Sequence, residues 1–167
     1  MNHEKIVSIE KLTKTWFDPN NLTLFTNGCF DLFHAGHAKA LSDIKKDAGK
    51  DSMLVVGINS DKSVKSLKGE FRPIIPEEQR AYIVACHEAV DMVFIFDEED
   101  VSPYIKIIRP DFWYKSSDYT LNSLNEKEKL NIQIVDGSIK FINLVEDIST
   151  SKIIKKIGGN LIEKVFG

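Results

Sequence analysis

Residues 25–37 read FTNGCFDLFHAGH, and this stretch decides the fold of the chain. The apolar run that ends at Thr26 predicts a buried strand, and Asn27-Gly28 ends that strand. Gly36-His37 then opens an amphipathic segment over residues 38–46, which predicts a helix. The order strand, loop, helix places the first turn of a helix beside the carboxyl end of a strand.

A junction of this kind suits a bound phosphate group. The first N–H groups of a helix lack partners within the helix and carry the positive end of its dipole. Gly36 lets the main chain approach closely. His34 and His37 flank this glycine, and imidazole N–H groups can donate to phosphoryl oxygens that gain charge as a bond breaks. An isolated histidine is more often a capping or core residue, but this context favours an anion site.

The motif His-Ala-Gly-His at residues 34–37 closely resembles the signature of the cytidylyltransferase-like nucleotidyltransferases. This resemblance implies a Rossmann-like domain that joins a nucleoside triphosphate to a phosphorylated small molecule and releases pyrophosphate. It extends from about Thr23 to Ile157. Four segments are most similar to domains that adenylylate D-glycero-D-manno-heptose 1-phosphate: residues 72–73, 76–80, 88–91 and 146–157.

Two other functions stay open on the sequence alone. Glycerol-3-phosphate cytidylyltransferase has a similar motif and would use CTP instead of ATP. A nucleotide-binding regulator without turnover is the alternative from another class, although the intact histidines and lysines argue against it. The resemblance also implies a homodimer. From composition we expect neither a nucleic-acid nor a membrane partner.

Composition favours an ordinary single domain over residues 1–167. The 167 residues are 43% hydrophobic and 28% charged, which is enough for a sizeable core. A net charge of −3 excludes a whole-molecule field for nucleic acid, and two cysteines exclude a disulfide framework. Because residues 1–12 also lack the apolar segment of a signal peptide, we expect a cytoplasmic protein. No apolar run approaches the roughly 18 residues of a membrane span. Residues 1–20 should form a helical extension and residues 158–167 a tail.

Further apolar runs alternate with helical patterns along the chain. We expect strands over residues 53–58, 92–96, 111–115 and 140–144, and helices over 76–87, 103–108, 124–135 and from about 150 to Gly158-Gly159. This alternation predicts an α/β fold with a doubly wound parallel sheet and right-handed crossovers. A hairpin of residues 132–135 with 138–144 is the alternative near the C-terminus. The acidic run 97–100 is more typical of a solvated helix start than of a metal site.

Three lysines follow the second predicted strand: Lys62, Lys65 and Lys68. We interpret this segment as a loop at the carboxyl edge of the sheet, where open parallel sheets bind ligands. A lysine run is otherwise usually a solvated face. The resemblance implies a mobile loop in which Lys65 and Lys68 reach the triphosphate.

The candidate site contains three catalytic and eleven nucleotide-binding residues. The catalytic residues are His34, His37 and Lys68. From the resemblance and from their places in the predicted fold, we expect eleven residues to bind the nucleotide: Cys29, Phe30, Asp31, Gly36, Lys65, Arg80, Lys115, Asp118, Ser149, Thr150 and Ser151. Mg²⁺ is the expected cofactor, held mainly by phosphates and water, with Asp31 a candidate to approach it.

Two of these assignments have specific alternatives. Arg80 could instead be a surface residue paired with a neighbouring glutamate. The segment 115–119 reads Lys-Ser-Ser-Asp-Tyr where heptose-phosphate members typically have Lys-Gly-Gly-Asp-Tyr. Serines take a positive φ less easily than glycines and add hydroxyl groups to the pocket, so acceptor or base recognition could be altered.

Overall fold

The computed structural model describes residues 3–143 and 148–166, and it confirms the predicted parallel sheet. Within these residues five strands are arranged in the order β3-β2-β1-β4-β5, and every neighbouring pair is parallel. The strands are β1 Thr23–Gly28, β2 Met53–Asn59, β3 Met92–Phe96, β4 Phe112–Ser116 and β5 Ser138–Ile142. The alternative hairpin is wrong, because β5 pairs in parallel with β4.

Helices connect the strands on both sides of the sheet. They are α1 Ile9–Lys14, α2 Ala35–Ala48, α3 Asp61–Lys68, α4 Glu77–Ala85, α5 Ser102–Ile108, α6 Glu126–Ile134 and α7 Thr150–Phe166. In the described part of the chain, no helix has the length and apolar character needed to cross a bilayer.

Each face of the sheet carries its own hydrophobic core. Successive strand residues point to opposite faces, so Leu24 joins one core and Phe25 the other, and both are fully buried. The core around Phe25 includes residues of α1, α5 and α6. The core around Leu24 includes residues of α2 and α4. Burial on both faces is the mark of a doubly wound sheet, as predicted.

The chain reverses its direction of winding between β1 and β4. β1 pairs with β2 on one side and with β4 on the other. The Thr26 hydroxyl donates to the Tyr114 carbonyl at 3.0 Å, and Trp113 Nε1 donates to Asn27 Oδ1 at 3.2 Å. The loops that follow β1 and β4 therefore leave the sheet side by side. Ligands of open parallel sheets bind in the crevice at such a switch point.

Several element boundaries differ from the sequence predictions. Ile6 lies outside the first helix and forms a parallel bridge with Val93, while Ser8 caps α1. The start of the helix after β4 was also predicted too early. Ser123 closes a short 3-10 turn with Thr120, so Asn125 becomes the N-cap of α6.

Two larger corrections concern the lysine segment and the last helix. The segment predicted as a lysine loop is instead the helix α3. The Ser60 hydroxyl caps this helix by accepting the Ser63 N–H at 3.1 Å. Gly69 ends α3 with a φ of 96°. The glycine pair at residues 158–159 does not end α7, which continues to Phe166. Residue 144, predicted as the end of the last strand, lies outside the described residues.

Candidate active site

The two histidines form a reciprocal cap at the start of α2. His34 is the N-cap, with extended backbone (φ −134°, ψ 173°), and its Nδ1 accepts the Gly36 N–H at 3.1 Å. His37 Nδ1 accepts the His34 N–H at 3.4 Å. This is a capping box built from imidazoles, and it satisfies N–H groups that the helix leaves unpaired.

The imidazole rings stack on each other, with centroids 3.9 Å apart and an interplanar angle of 21°. The His37 ring also contacts Phe30 and Phe33, at centroid distances of 5.2 and 5.5 Å. Because Nδ1 of each ring accepts a hydrogen bond, the proton of a neutral ring is on Nε2. Each histidine can therefore offer an Nε2–H group to a ligand.

Burial keeps both rings neutral at physiological pH. It lowers the pKa of His37 to about 4, with the neighbouring His34 ring acting in the same direction and Asp31 opposing. Burial also lowers the pKa of His34. The pair is thus suited to donating hydrogen bonds to phosphate oxygens without first carrying a charge.

Gly36 is needed because the first turn of α2 is crowded. A Cβ at this position would lie 2.9 Å from the His34 ring and 3.3 Å from Ile148 Cγ2. Ile148 comes just before α7. The prediction that this glycine permits a close approach thus has a specific structural basis: the starts of α2 and α7 are packed against each other.

The start of α7 brings the predicted hydroxyl residues beside the histidines. Ser149 Oγ accepts the Lys152 N–H at 3.2 Å, which makes Ser149 the cap of the helix. The Thr150 hydroxyl donates to the carbonyl oxygen of Asp31, and Ser151 is exposed. Two helix N-termini therefore converge on the loop after β1, as expected for a site that binds several phosphate groups.

Asp31 is turned into the protein. Its carboxylate is fully buried and accepts hydrogen bonds from Arg72 Nε at 2.6 Å and from the N–H groups of Ile74 and Ile75 at 2.9 and 3.0 Å. Burial acts to raise the pKa of Asp31, but these three donors hold it below its ordinary value. The sequence alone gave no sign that this acid anchors residues 72–75.

The backbone on both sides of Asp31 is strained. Phe30 and Leu32 each have a φ of 49°, in the left-handed region. This region costs a residue other than glycine about 1 kcal/mol. Strain of this kind persists only where surrounding contacts hold it, and it clusters at functional sites.

The predicted lysines lie on the exposed side of α3. Lys65 Nζ pairs with the Glu70 carboxylate at 2.7 Å, and both side chains are exposed. Lys68 is exposed at the last turn of the helix. Its charge acts on the Cys29 thiol, so it lies close to the loop after β1.

Cys29 is unsuited to act as a nucleophile. Burial raises the pKa of its thiol, against the opposing charges of Lys68, Arg80 and Arg72. Its Sγ lies 4.0 Å from Asn59 Oδ1 at the end of β2. Since the thiolate is the reactive form, the environment of Cys29 suppresses its reactivity.

Arg80 is a fully buried cation that holds several segments together. Its Nε donates to the Ile75 carbonyl at 2.8 Å, Nη1 to the Cys29 carbonyl at 2.5 Å, and Nη2 to Asp61 at 2.8 Å. The alternative interpretation as a surface residue paired with glutamate is therefore wrong. The structure places Arg80 beneath the site, where it supports the loop after β1 and the start of α3.

Lys115 lies between two aromatic rings at the end of β4. Its Nζ is 4.8 Å from the Trp113 ring centroid and 4.7 Å from that of Tyr119. Burial lowers the pKa of Lys115, against the opposing charges of Glu128 and Asp118. Cation–π contacts of this kind compensate in part for lost hydration.

The loop after β4, where two serines replace the expected glycines, is held by one side-chain and one backbone hydrogen bond. The Ser116 hydroxyl donates to the Asp118 carboxylate, and the Ser117 N–H donates to the Ile142 carbonyl at 2.9 Å. Asp118 is exposed, at the open side of the crevice. The hydroxyl of Ser116 therefore orients an acid that a glycine could not contact.

Two acids of the run 97–100 contact residues of α5, which begins just after the run. Asp100 accepts the Ser102 N–H at 2.8 Å, and Glu98 accepts the Tyr104 hydroxyl at 2.7 Å. Across the described residues there is no group of three or more potential ligands that could hold a metal ion.

Comparison with known proteins agrees with this geometry. The model of one protein family, described as Cytidylyltransferase-like, matches residues 25–156. The chain belongs to the Cytidylyltransferase-like family. The match includes both strands of the switch point, the histidine cap and the start of α7.

Curated relatives of this Cytidylyltransferase-like chain include proteins named "Bifunctional protein HldE". The chain is 42% identical over 153 residues to the protein from Wolinella succinogenes, covering 92% of this chain and 30% of the relative. It is 41% identical over 155 residues to the protein from Helicobacter pylori strain J99, covering 93% and 32%. The chain thus spans about a third of the length of these relatives.

Solved structures share the Cytidylyltransferase-like fold at lower identity. A lipopolysaccharide core biosynthesis protein from Thermoplasma volcanium has a TM-score of 0.58 and 24% identity, over 74% of this chain and 96% of that one. A structure described as a macrolide-efflux protein from Streptococcus pneumoniae has a TM-score of 0.64 and 23% identity, over 92% and 56%. These similarities show the fold alone.

Proposed function

We propose that this chain transfers a nucleotidyl group from a nucleoside triphosphate, ATP, to a sugar phosphate, heptose 1-phosphate. The products would be a nucleotide-sugar and pyrophosphate. The observation that carries the proposal is the pair of neutral imidazoles at the start of α2, whose Nδ1 atoms are engaged and whose Nε2–H groups remain as donors. The heptose acceptor is supported by the sequence similarity of residues 72–73, 76–80, 88–91 and 146–157 to heptose-phosphate adenylyltransferase domains.

In the proposed reaction an oxygen of the acceptor phosphate attacks the α-phosphorus in line. A new P–O bond forms, the bond between the α-phosphorus and the α–β bridging oxygen breaks, and pyrophosphate leaves with the electron pair. No protein nucleophile is required, which agrees with the raised pKa of the Cys29 thiol. His34 and His37 would stabilise the charge that develops on the phosphoryl oxygens. Positioning and charge stabilisation would then supply the rate enhancement.

The triphosphate would enter as its Mg²⁺ complex. The Asp31 carboxylate already accepts three hydrogen bonds, so we assign the ion to phosphate and water oxygens and not to this acid. Lys68 would contact the phosphates from the end of α3, and Lys65 would exchange its partner Glu70 for them. The start of α7, with Ser149, Thr150 and Ser151, would receive the β- and γ-phosphates.

A substrate panel tests this proposal. The purified chain is incubated with ATP or CTP, Mg²⁺, and heptose 1-phosphate, glycerol 3-phosphate or another sugar phosphate, and pyrophosphate release is measured. The expected result is release with ATP and heptose 1-phosphate. Release only with CTP and glycerol 3-phosphate would instead assign the chain to that cytidylyltransferase reaction. Nucleotide binding without pyrophosphate release from any pair would contradict the proposed activity.

A further inference from the structure

Asp31 is joined to two distant parts of the chain through different atoms. Its carboxylate accepts from Arg72, Ile74 and Ile75, which lie more than forty residues later. Its backbone carbonyl oxygen accepts the hydroxyl of Thr150, which is 119 residues later. One residue of the loop after β1 therefore contacts both the segment that follows α3 and the first residue of α7.

The first of these connections leads to Lys68 through consecutive backbone contacts. Gly69 donates its N–H to the Lys65 carbonyl at 2.9 Å, which closes the last turn of α3. The Arg72 N–H donates to the Gly69 carbonyl at 3.0 Å, which closes the turn after it. Arg72 Nε then contacts Asp31 at 2.6 Å. The end of α3 is thus tied to the carboxylate through a chain of hydrogen bonds only a few residues long.

The second connection fixes the start of α7 against the same loop. The Thr150 hydroxyl reaches the Asp31 carbonyl, and Ile148 packs against Gly36 at the start of α2. The left-handed backbone at Phe30 and Leu32 turns Asp31 so that its carboxylate points inward. Since that conformation is unfavourable for both residues, the contacts of Asp31 contribute to holding it, together with the Arg80 bond to the Cys29 carbonyl.

We infer that Asp31 is a positioning residue that sets the spacing between Lys68, the histidine pair and the start of α7. This inference rests on the proposed function and deepens it. In this role the Asp31 carboxylate acts through residues 72–75, and its carbonyl oxygen acts through Thr150. Triphosphate affinity depends on this spacing because the lysine charge and the α7 N–H groups must reach one ligand together.

Asp31→Asn tests the inference with almost no change in size. The amide N–H₂ group would face N–H donors, and the hydrogen bond from Arg72 to an ionised carboxylate would be lost. We expect the KM for the nucleoside triphosphate to rise roughly tenfold or more, the range for losing a hydrogen bond to a charged group. The KM for the acceptor phosphate should stay within about twofold, because the acceptor is held by other residues.

Asp91→Asn is the matched control. The Asp91 carboxylate also accepts a backbone N–H, from Leu54 at 2.7 Å, and a cation, Lys45 at 2.6 Å. These contacts lie at the opposite end of the sheet, at the start of β2. Asp91→Asn should therefore leave both KM values unchanged, even where it lowers the Tm. Equal effects of the two variants on the triphosphate KM would overturn the inference.

A readout independent of turnover separates this inference from the proposed function. Trypsin cleavage after Lys68, followed by mass spectrometry, should be faster in Asp31→Asn than in wild type and in Asp91→Asn, because residues 69–75 lose their anchor. Calorimetric titration should show that Asp31→Asn weakens ATP binding by about the same factor by which it raises the KM. If the wild type releases no pyrophosphate with any acceptor, the proposed function fails, but these two measurements still decide the role of Asp31.

Arg72→Gln and Thr150→Val keep the test decisive should Asp31→Asn not fold. Arg72→Gln leaves the two backbone donors to Asp31 in place, so Lys68–Gly69 cleavage should accelerate less than in Asp31→Asn but more than in Asp91→Asn. Thr150→Val removes the hydroxyl that donates to the Asp31 carbonyl and keeps the backbone N–H of residue 150 for the phosphates. It should weaken ATP binding without exposing Lys68 to trypsin. Wild-type ATP affinity in both variants would overturn the inference.

Discussion

His34 and His37 stack face to face, with ring centroids 3.9 Å apart, while the Nδ1 atom of each accepts a backbone N–H of the same helix start. The cap uses one nitrogen of each ring and leaves the other nitrogen as a donor. Folding of the helix and formation of the proposed anion site therefore depend on the same two side chains.

Replacing His37 by alanine should lower kcat by about 100-fold or more, the usual loss for one preorganised donor. The Tm should fall only modestly, because His34 still accepts the Gly36 N–H. Steady-state kinetics and circular dichroism measure the two effects. His87→Ala, at the end of α4, is the control and should retain wild-type kcat. Near-normal turnover in His37→Ala would contradict a catalytic role.

The titration of His37 should be displaced far to acid pH. Its pKa in the folded chain is lowered to about 4, below the ordinary value of 6.5. As the pH falls from 6.5 towards 4, the unfolded chain therefore takes up the proton first, and the His37 contribution to the stability of the fold is progressively lost. NMR should show His37 as the Nε2–H tautomer at pH 7, with no titration between pH 6 and 8. A midpoint near 6.5 would contradict the burial of this ring.

Gly36→Ala should impair the site more than the fold. The added Cβ would lie 2.9 Å from the His34 ring, so the ring must turn and its Nε2–H must move. We expect kcat to fall by roughly tenfold or more, since small misplacements of a donor are costly. Gly158→Ala in α7 is the matched control, because a Cβ there meets nothing within 4 Å. That change should stabilise the chain by about 0.5–1 kcal/mol and leave kcat unchanged.

Lys68→Ala should raise the KM for the triphosphate by roughly tenfold, through loss of one cation that contacts phosphate. The effect should shrink at high ionic strength, because Lys68 is exposed and its charge is screened. Lys39→Ala, an exposed lysine of α2 that pairs with Asp43, is the control and should change neither kinetic constant. Equal KM values for the two variants would contradict the assignment of Lys68 to the triphosphate site.

The sheet could be predicted from the sequence because its signals are local. Apolar runs such as 53–58 and 92–96 lie between turn residues, and both faces of these strands are buried. The polar, lysine-rich sequence of α3 predicts a loop, although the segment is a helix. Its signals were the Ser60 cap and Gly69, which frame a helix of two turns.

The histidine part of the site could also be predicted from the sequence, since its cap is formed within four residues. The roles of Asp31 and Arg80 could not be predicted in this way. Asp31 finds its donors 41 to 44 residues away, and Arg80 reaches Cys29 across 51 residues. No local pattern predicts contacts across such distances in the sequence, and only the tertiary structure shows them.

The two thiols differ enough to make the chain easy to label at one position. Cys86 is exposed at the end of α4, whereas Cys29 is partly buried and has a raised pKa. A maleimide dye at neutral pH should therefore attach to Cys86 first, since the thiolate is the form that reacts. A fluorophore placed there would report on nucleotide titrations by anisotropy or energy transfer without occupying the crevice between β1 and β4.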